Sequence, residues 1–289
     1  MKKTLKSILI IVILIFFFLF YLCHISQMIR FFLDYSLLFW KKLVPVSFPI
    51  LLFSSILISY GFFSFLPISS SASVFFLSLI SGFPNGSICA KELLNKKEIS
   101  KEEGNQILLF SHFPNLFFVF GSVSSVLNPV LTKKVYYSVF LSNVLLFLFC
   151  RKKKEKKYFN PIPNVNFSDI LSKSIFSASR TILLIYGSSI FFYLFSVFIT
   201  HYFSFSPFLF SFLCGFFDLT NGVFSTTLFS SFIKRSYLIL FFLSFGSLSI
   251  HMQIKSILLD TSLSYSSFLK GRFIGTCLSF LIFQILLFF

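Results

Sequence analysis

The chain has 289 residues, of which 56% are hydrophobic and only 12% charged, with a mean hydropathy of +0.89. Charged residues stand at about half the level of an average soluble domain, which excludes a water-soluble globular fold and points to an integral membrane protein. The formal charge of +16 comes from 25 Lys and Arg against 9 Asp and Glu. These bases lie between apolar runs, where they set topology and meet anionic lipid, so they do not argue for nucleic acid as a partner.

The basic start MKKTLKS precedes the apolar run Ile8–Tyr21. No A-x-A site follows it and Cys23 lacks a lipobox, so it reads as an uncleaved first membrane helix in preference to a signal peptide. Trp40 with Lys41 and Lys42 reads as an interfacial anchor. It precedes a second span, Val44–Phe63, whose Pro45 and Pro49 fall in the tolerant first turns. After a polar break, Pro67–Ser71, the run Ser73–Ile80 is apolar but too short to cross a bilayer. SGFPNG (Ser81–Gly86) interrupts it and Ser87–Leu94 continues it. Two half-helices about a Gly/Pro break describe a re-entrant hairpin. Ser100-Lys101-Glu102-Glu103 is a capping box and starts a helix from Lys101 through Phe110. Pro114 breaks it within Ser111–Asn115, and it resumes from Leu116 to about Leu127. Val135–Cys150 is the next span, closed by the basic run Arg151–Lys157.

A polar linker with Pro161 and Pro163 leads to a long helix, Asp169–Ile199. Phe205–Cys214 is again short, is interrupted over Gly215–Gly222 (GFFDLTNG) and continues over Val223–Phe232. Tyr237–Phe245 runs through GSLSIH (Gly246–His251) to Leu259, and Ser264–Phe289 holds the last span. Residues 40–150 and 169–289 therefore share one order of long helix, broken hairpin, broken helix and closing span, with Asn85-Gly86 standing where Asn221-Gly222 stands. Residues 1–39 form an N-terminal transmembrane helix and connector, and 151–168 a basic cytoplasmic linker.

Orientation follows from the bases. With the N-terminus inside, 17 fall inside: Lys2, Lys3, Lys6, Lys91, Lys96, Lys97, Lys101, the six of Arg151–Lys157, Lys173, Lys255, Lys270 and Arg272. Outside fall 7: Arg30, Lys41, Lys42, Lys133, Lys134, Lys234 and Arg235. The hairpins then dip from opposite faces, which makes the repeats inverted. The fold class read from the sequence is an all-α polytopic membrane protein with about seven transmembrane helices plus two re-entrant helical hairpins in inverted repeats.

Asp218 is the only acid between Asp169 and Asp260, flanked by Phe216, Phe217 and Leu219. A carboxylate in lipid is costly and should face a protein interior or a wet cavity. It either binds a proton, a cation or a donor on a substrate, or it caps the second half-helix; both roles can hold together. Asn85, Gly86, Thr220 and Asn221 sit at the hairpin breaks, where free N–H groups and positive helix ends can hold an anion. The plainer alternative is that they only close turns. His112 and Asn115 lie in one mid-helix break; Ser247, Ser249 and His251 lie in the other, with Gln253 beside them. These can donate to substrate oxygens, although a lone histidine more often serves packing. Arg180 reads as snorkelling to the inner surface, with a cavity-facing role as the alternative. The five cysteines form no CxxC, the histidines no HExxH, and there is no GxSxG, Walker or GxGxxG string. No metal, no cofactor and no enzyme chemistry are expected.

The string Leu243–Arg272 closely resembles the end of sporulation integral membrane proteins of the YlbJ type. ISGFPNG with KEISKEEGNQILLF resembles that family's first hairpin and charged linker, and GFFDLTNG its second, where Glu is usual in place of Asp218. Trp40–Gly61 looks like its first gate helix. The resemblance covers nearly the whole chain. It implies two copies of a nucleoside-recognition gate domain, an architecture similar to concentrative nucleoside transporters, and movement of dipicolinic acid across the outer forespore membrane in a host that sporulates. His112–Leu116 departs from the family's Asn/Ser/Gly/Pro run, and Asp218 is one methylene shorter than Glu.

The expected function is transport of a small anionic metabolite across the lipid bilayer by alternating access. Asn85 and Asn221 would contact the anion, Asp218 would couple to a proton or sodium, and Ser249 and His251 would orient the substrate. A nucleoside transporter and a non-transporting scaffold for the spore envelope are the rivals. Coupling ion and homo-oligomer are open at this point.

Overall fold

The computed structural model of the protein describes residues 2–61, 68–150 and 166–288. The expected basic run Arg151–Lys157, the Pro161/Pro163 linker, Pro67 and the end of the second span at Phe62–Phe63 lie outside them. All regular structure among the described residues is helical. Among the described residues six helical runs are long and apolar enough to cross a membrane: Leu5–Cys23, Ile25–Ser59, Pro129–Cys150, Phe167–Tyr202, Phe232–Leu258 and Tyr265–Phe288. The chain is thus an all-helical protein of the membrane type.

Helix α1 (Lys2–Cys23) lays Phe17 against Phe191, Phe195 and Phe198 and buries Phe20 against Phe198 and Tyr202, while most of its other apolar side chains are exposed. His24 separates it from α2 (Ile25–Leu38), which passes through a π-helical turn, Phe39–Leu43, into α3 (Val44–Ser59). The continuity of this run corrects one expectation: the second span does not begin at Val44, because Trp40, Lys41 and Lys42 lie inside one unbroken 35-residue run. Pro45 has no N–H to give to the preceding turn, and a local π adjustment keeps the backbone paired where a strict α-helix would fail. The run is antiparallel to α8 (Phe167–Tyr202). Tyr35 stacks on Tyr193 at 4.7 Å, Phe39 meets Tyr186 at 5.0 Å, and Leu51 joins Ala178 and Ile182 in one apolar cluster. At 36 residues, α8 is about 54 Å long, well beyond a hydrocarbon core of about 30 Å, so it tilts or projects.

Two short helix pairs pack inside this frame. Helices α4 (Ser70–Ser81) and α5 (Asn85–Asn95) meet at Gly82–Pro84; α4 is capped by Ser69, whose hydroxyl accepts from the Ala72 N–H. Helices α9 (Pro207–Phe217) and α10 (Leu219–Ser225) meet at Asp218 alone. The second break is therefore one residue wide, narrower than the expected Gly215–Gly222. Its far arm also ends early, because Val223–Phe232 stays helical only to Leu228 before Ser231 caps a new helix. Hydropathy cannot separate these states, since an apolar run reads alike whether it is one helix or two.

Helix α6 (Lys101–Phe110) begins at the capping box, with Ser100 and Glu103 bonded reciprocally. It stops at Ser111, and Phe118–Val123 resumes as a second π-helical segment. That broken element accounts for the difference between the seven expected spans and the six observed runs. Helix α7 (Pro129–Cys150) starts at a proline N1 with Asn128 as cap, α11 (Phe232–Phe245) and α12 (Leu248–Leu258) are separated by Gly246-Ser247, and α13 (Tyr265–Phe288) closes the chain. Helices α7 and α13 lie antiparallel and are joined by a 2.8 Å bond between Ser142 and Ser279 hydroxyls. Arg180 is exposed on α8.

Candidate functional site

Asp218 is 1% exposed and accepts three hydrogen bonds. Its Oδ1 takes the Asn221 N–H at 3.0 Å, which makes it the cap of α10, while Oδ2 takes the Tyr35 hydroxyl at 3.1 Å and the Ser249 hydroxyl at 3.4 Å. The capping reading thus holds in geometry, while the second oxygen is bonded to hydroxyls of two other elements. No Lys, Arg or His lies within ion-pair distance of it among the described residues. A buried carboxylate without a counter-charge is costly unless it meets a proton or a cation.

Asp218 lines a cavity of about 100 Å³, together with Thr220, Ser249, Gln253, Ser189 and Ser47 among apolar side chains. Phe83 from the first break and Asp218 from the second both line it, as do Leu219 at the start of α10 and Ser249 and Ile250 from the first turn of α12. The N-terminus of α12 carries no side-chain cap, so its free N–H groups keep their positive end at the cavity. Both π-helical segments contribute: Phe39 and Leu43 come from one and Phe118 from the other. Such turns often mark functional positions because they re-aim side chains that an α-helix would turn away. A second chamber of about 300 Å³ shares Leu43, Ser47 and Phe118 with the first and adds Lys42, Asn115, Ser122 and Ser125.

The expected residues divide into two sets. Asp218, Thr220 and Ser249 line the inner chamber, and Asn115 the outer one. The others serve the breaks themselves. Asn85 donates to Ser54 at 3.1 Å and Ser81 at 2.8 Å, and Asn221 donates to Ser196 at 3.0 Å, so each asparagine ties its hairpin to a neighbouring long helix. Gly86 is pressed on the α6 break, where an added Cβ would stand 2.1 Å from the Ser111 carbonyl oxygen. His112 shares a 2.9 Å bond with Ser87 and is fully buried. Ser247 bonds Ser249 at 2.7 Å and so supports the cavity at one remove. His251 joins the Tyr265 hydroxyl at 2.6 Å and the Phe245 carbonyl at 3.1 Å. None of Asn85, Gly86, His112, Asn221, Ser247 and His251 lines the Asp218 cavity.

Arg272, counted among the inside topology charges, has a further role that the sequence reading did not find, since its side chain is 1% exposed. The guanidinium reaches between α6, α7 and α11. It donates to the carbonyls of His112 at 3.1 Å, Ser244 at 3.2 Å and Leu109 at 3.4 Å, and to Asn143 Oδ1 at 2.9 Å. Helix ends in a membrane leave carbonyls that no water can reach. A planar five-donor fork suits that need, and here one arginine serves the ends of both broken helices. Neighbouring Gly271 permits the approach, since a Cβ there would meet the Leu109 carbonyl at 2.2 Å. A Gly-Arg pair entering an apolar span is the signal that could have found it. Ser189 and Ser47, which line the cavity, and Tyr35, which bonds Asp218, were also missed, because only the pairing of α2–α3 with α8 brings them there. Among the described residues no group of three or more His, Cys, Asp and Glu side chains could hold a metal ion.

Comparison with known proteins finds no matching family model, no matching curated protein and no matching solved structure.

Proposed function

We propose that this protein transports a small anionic metabolite across a membrane, with dipicolinate as the candidate that the sequence resemblance implies. The observation that carries the reading is the placement of Asp218. It is a buried acid without a counter-charge, at a break between two half-helices, on the wall of a cavity that residues of both hairpin breaks line. A protein that only needs to stay in the membrane has no use for broken helices around a polar cavity, since each break leaves backbone groups that must be paired again.

In this reading 40–150 and 169–289 are inverted repeats. The pairs α4–α5 and α9–α10 enter the membrane from opposite faces without crossing it, and the broken α6 element counts as a seventh span. Alternating access then exposes the cavity to each side in turn. The open N-terminus of α12 and the hydroxyls of Ser249 and Thr220 favour the anion, and Asp218 takes a proton or a cation that moves with it.

The test is flux of dipicolinate into liposomes carrying the purified protein, under imposed pH and sodium gradients, with excess nucleoside as competitor. Saturable flux indifferent to nucleoside supports the reading. Flux abolished by nucleoside makes the protein a nucleoside carrier with the same architecture. No flux of either solute returns the choice to a scaffold.

A further inference from the structure

The inner chamber is too small to be the whole substrate site. At about 100 Å³ it falls below the several hundred Å³ of a typical small-molecule pocket and suits a few waters or an ion. The outer chamber, about 300 Å³, reaches that range. The two share Leu43, Ser47 and Phe118, so these residues form the wall between them. The charges are segregated: Asp218 is in the inner chamber, and Lys42 is the one charged side chain lining the outer. Lys42 makes no ion pair among the described residues. It sits on the π-helical turn, mid-way along an unbroken run. Hydroxyls of Ser47 and Ser122 line the same space, as does Ser125, whose own hydroxyl proton goes to the Ser122 carbonyl at 2.7 Å.

We propose that the outer chamber is an anion subsite in which Lys42 meets a carboxylate of the substrate on the outer side of the Leu43/Phe118 wall. This rests on the reading that the protein carries a small anion. It assigns the two charges separate tasks: Lys42 selects for negative charge, and Asp218 holds the coupling proton or cation. The substrate class is a mono- or dicarboxylate small enough for the outer chamber. A lipid phosphate could offer Lys42 the same chemistry, so the test uses liposomes of phosphatidylcholine alone beside liposomes containing an anionic lipid.

Two measurements decide it on the full chain. The first does not depend on transport. Ser122→Cys is labelled with an anionic and with a cationic methanethiosulfonate, each rate taken over that of the parent chain, with Lys42 intact and with Lys42→Gln. A lysine charge within the same chamber should favour the anionic reagent, and its removal should lower the anionic-to-cationic rate ratio by about fivefold. An unreactive Cys, or an unchanged ratio, overturns the subsite. The second is dipicolinate flux. Lys42→Gln should raise the half-saturating concentration about tenfold with the maximal rate within about twofold, and Lys42→Arg should restore it. An unchanged half-saturation, or an effect present only with anionic lipid, overturns the proposal. Absence of dipicolinate flux in the unaltered protein defeats the transport reading by itself, while the labelling ratio still decides the subsite.

Discussion

Gly86→Ala tests whether the first hairpin is held by close backbone approach to the α6 break. The added Cβ would stand 2.1 Å from the Ser111 carbonyl oxygen and 2.5 Å from its hydroxyl. Ordinary contact begins near 3.4 Å, so α5 must withdraw by about 1.3 Å. Truncating Ser111 cannot relieve this, because the first obstacle is backbone. The strain costs about 1–3 kcal/mol, and withdrawal also stretches the 2.9 Å bond between Ser87 and His112, worth about 0.6–1.7 kcal/mol in a membrane bundle. A loss of about 2–4 kcal/mol should lower the thermal midpoint by roughly 4–8 °C for a chain of this size. The control is Gly187→Ala. Gly187 lies inside α8 and an added Cβ meets nothing within 4 Å, so alanine should stabilise by up to about 1 kcal/mol through helix propensity alone. The assay is the fraction of monodisperse protein on size exclusion after heating in detergent. A Gly86→Ala midpoint within about 1 °C of the parent, or equal losses in the two variants, would refute the reasoning.

Other changes have equally definite outcomes. Arg272→Lys keeps the buried charge but loses the fork that spans both helix breaks, and should cost about 1–3 kcal/mol, read as a lower thermal midpoint. Combined with Asn143→Ala the loss should be less than additive, because the two side chains share one 2.9 Å bond. Ser100→Ala removes half of the capping box and should cost about 1 kcal/mol, seen as roughly fivefold faster hydrogen exchange in the first turn of α6.

Much of the architecture could be read from residue order because lipid tolerates so few backbone solutions. Apolar runs had to be helices, and Pro114, Gly82 and Gly246 had to interrupt them. Asp218 stood out as a lone acid among phenylalanines. What could not be read depends on partners distant in sequence. Arg272 follows Lys270 and looks like one more flanking base until α6, α7 and α11 close around it. Trp40, Lys41 and Lys42 read as an anchor ahead of a span that starts at Val44, yet the π-helical turn carries the helix through them. The far arm of the second hairpin is as apolar as a helix should be, but Ser231 starts a new helix inside that run.

The central claim is that Asp218 is the coupling group of a transporter. The direct measurement is dipicolinate flux through Asp218→Asn beside the parent protein, across a range of pH and under sodium gradients. Asparagine keeps the shape and can still accept the Asn221 N–H that caps α10, so the fold should survive while the titrating group is lost. The account predicts that gradient-driven accumulation disappears, leaving at most exchange that no longer responds to pH or sodium. Flux and its gradient dependence identical to those of the parent would contradict it.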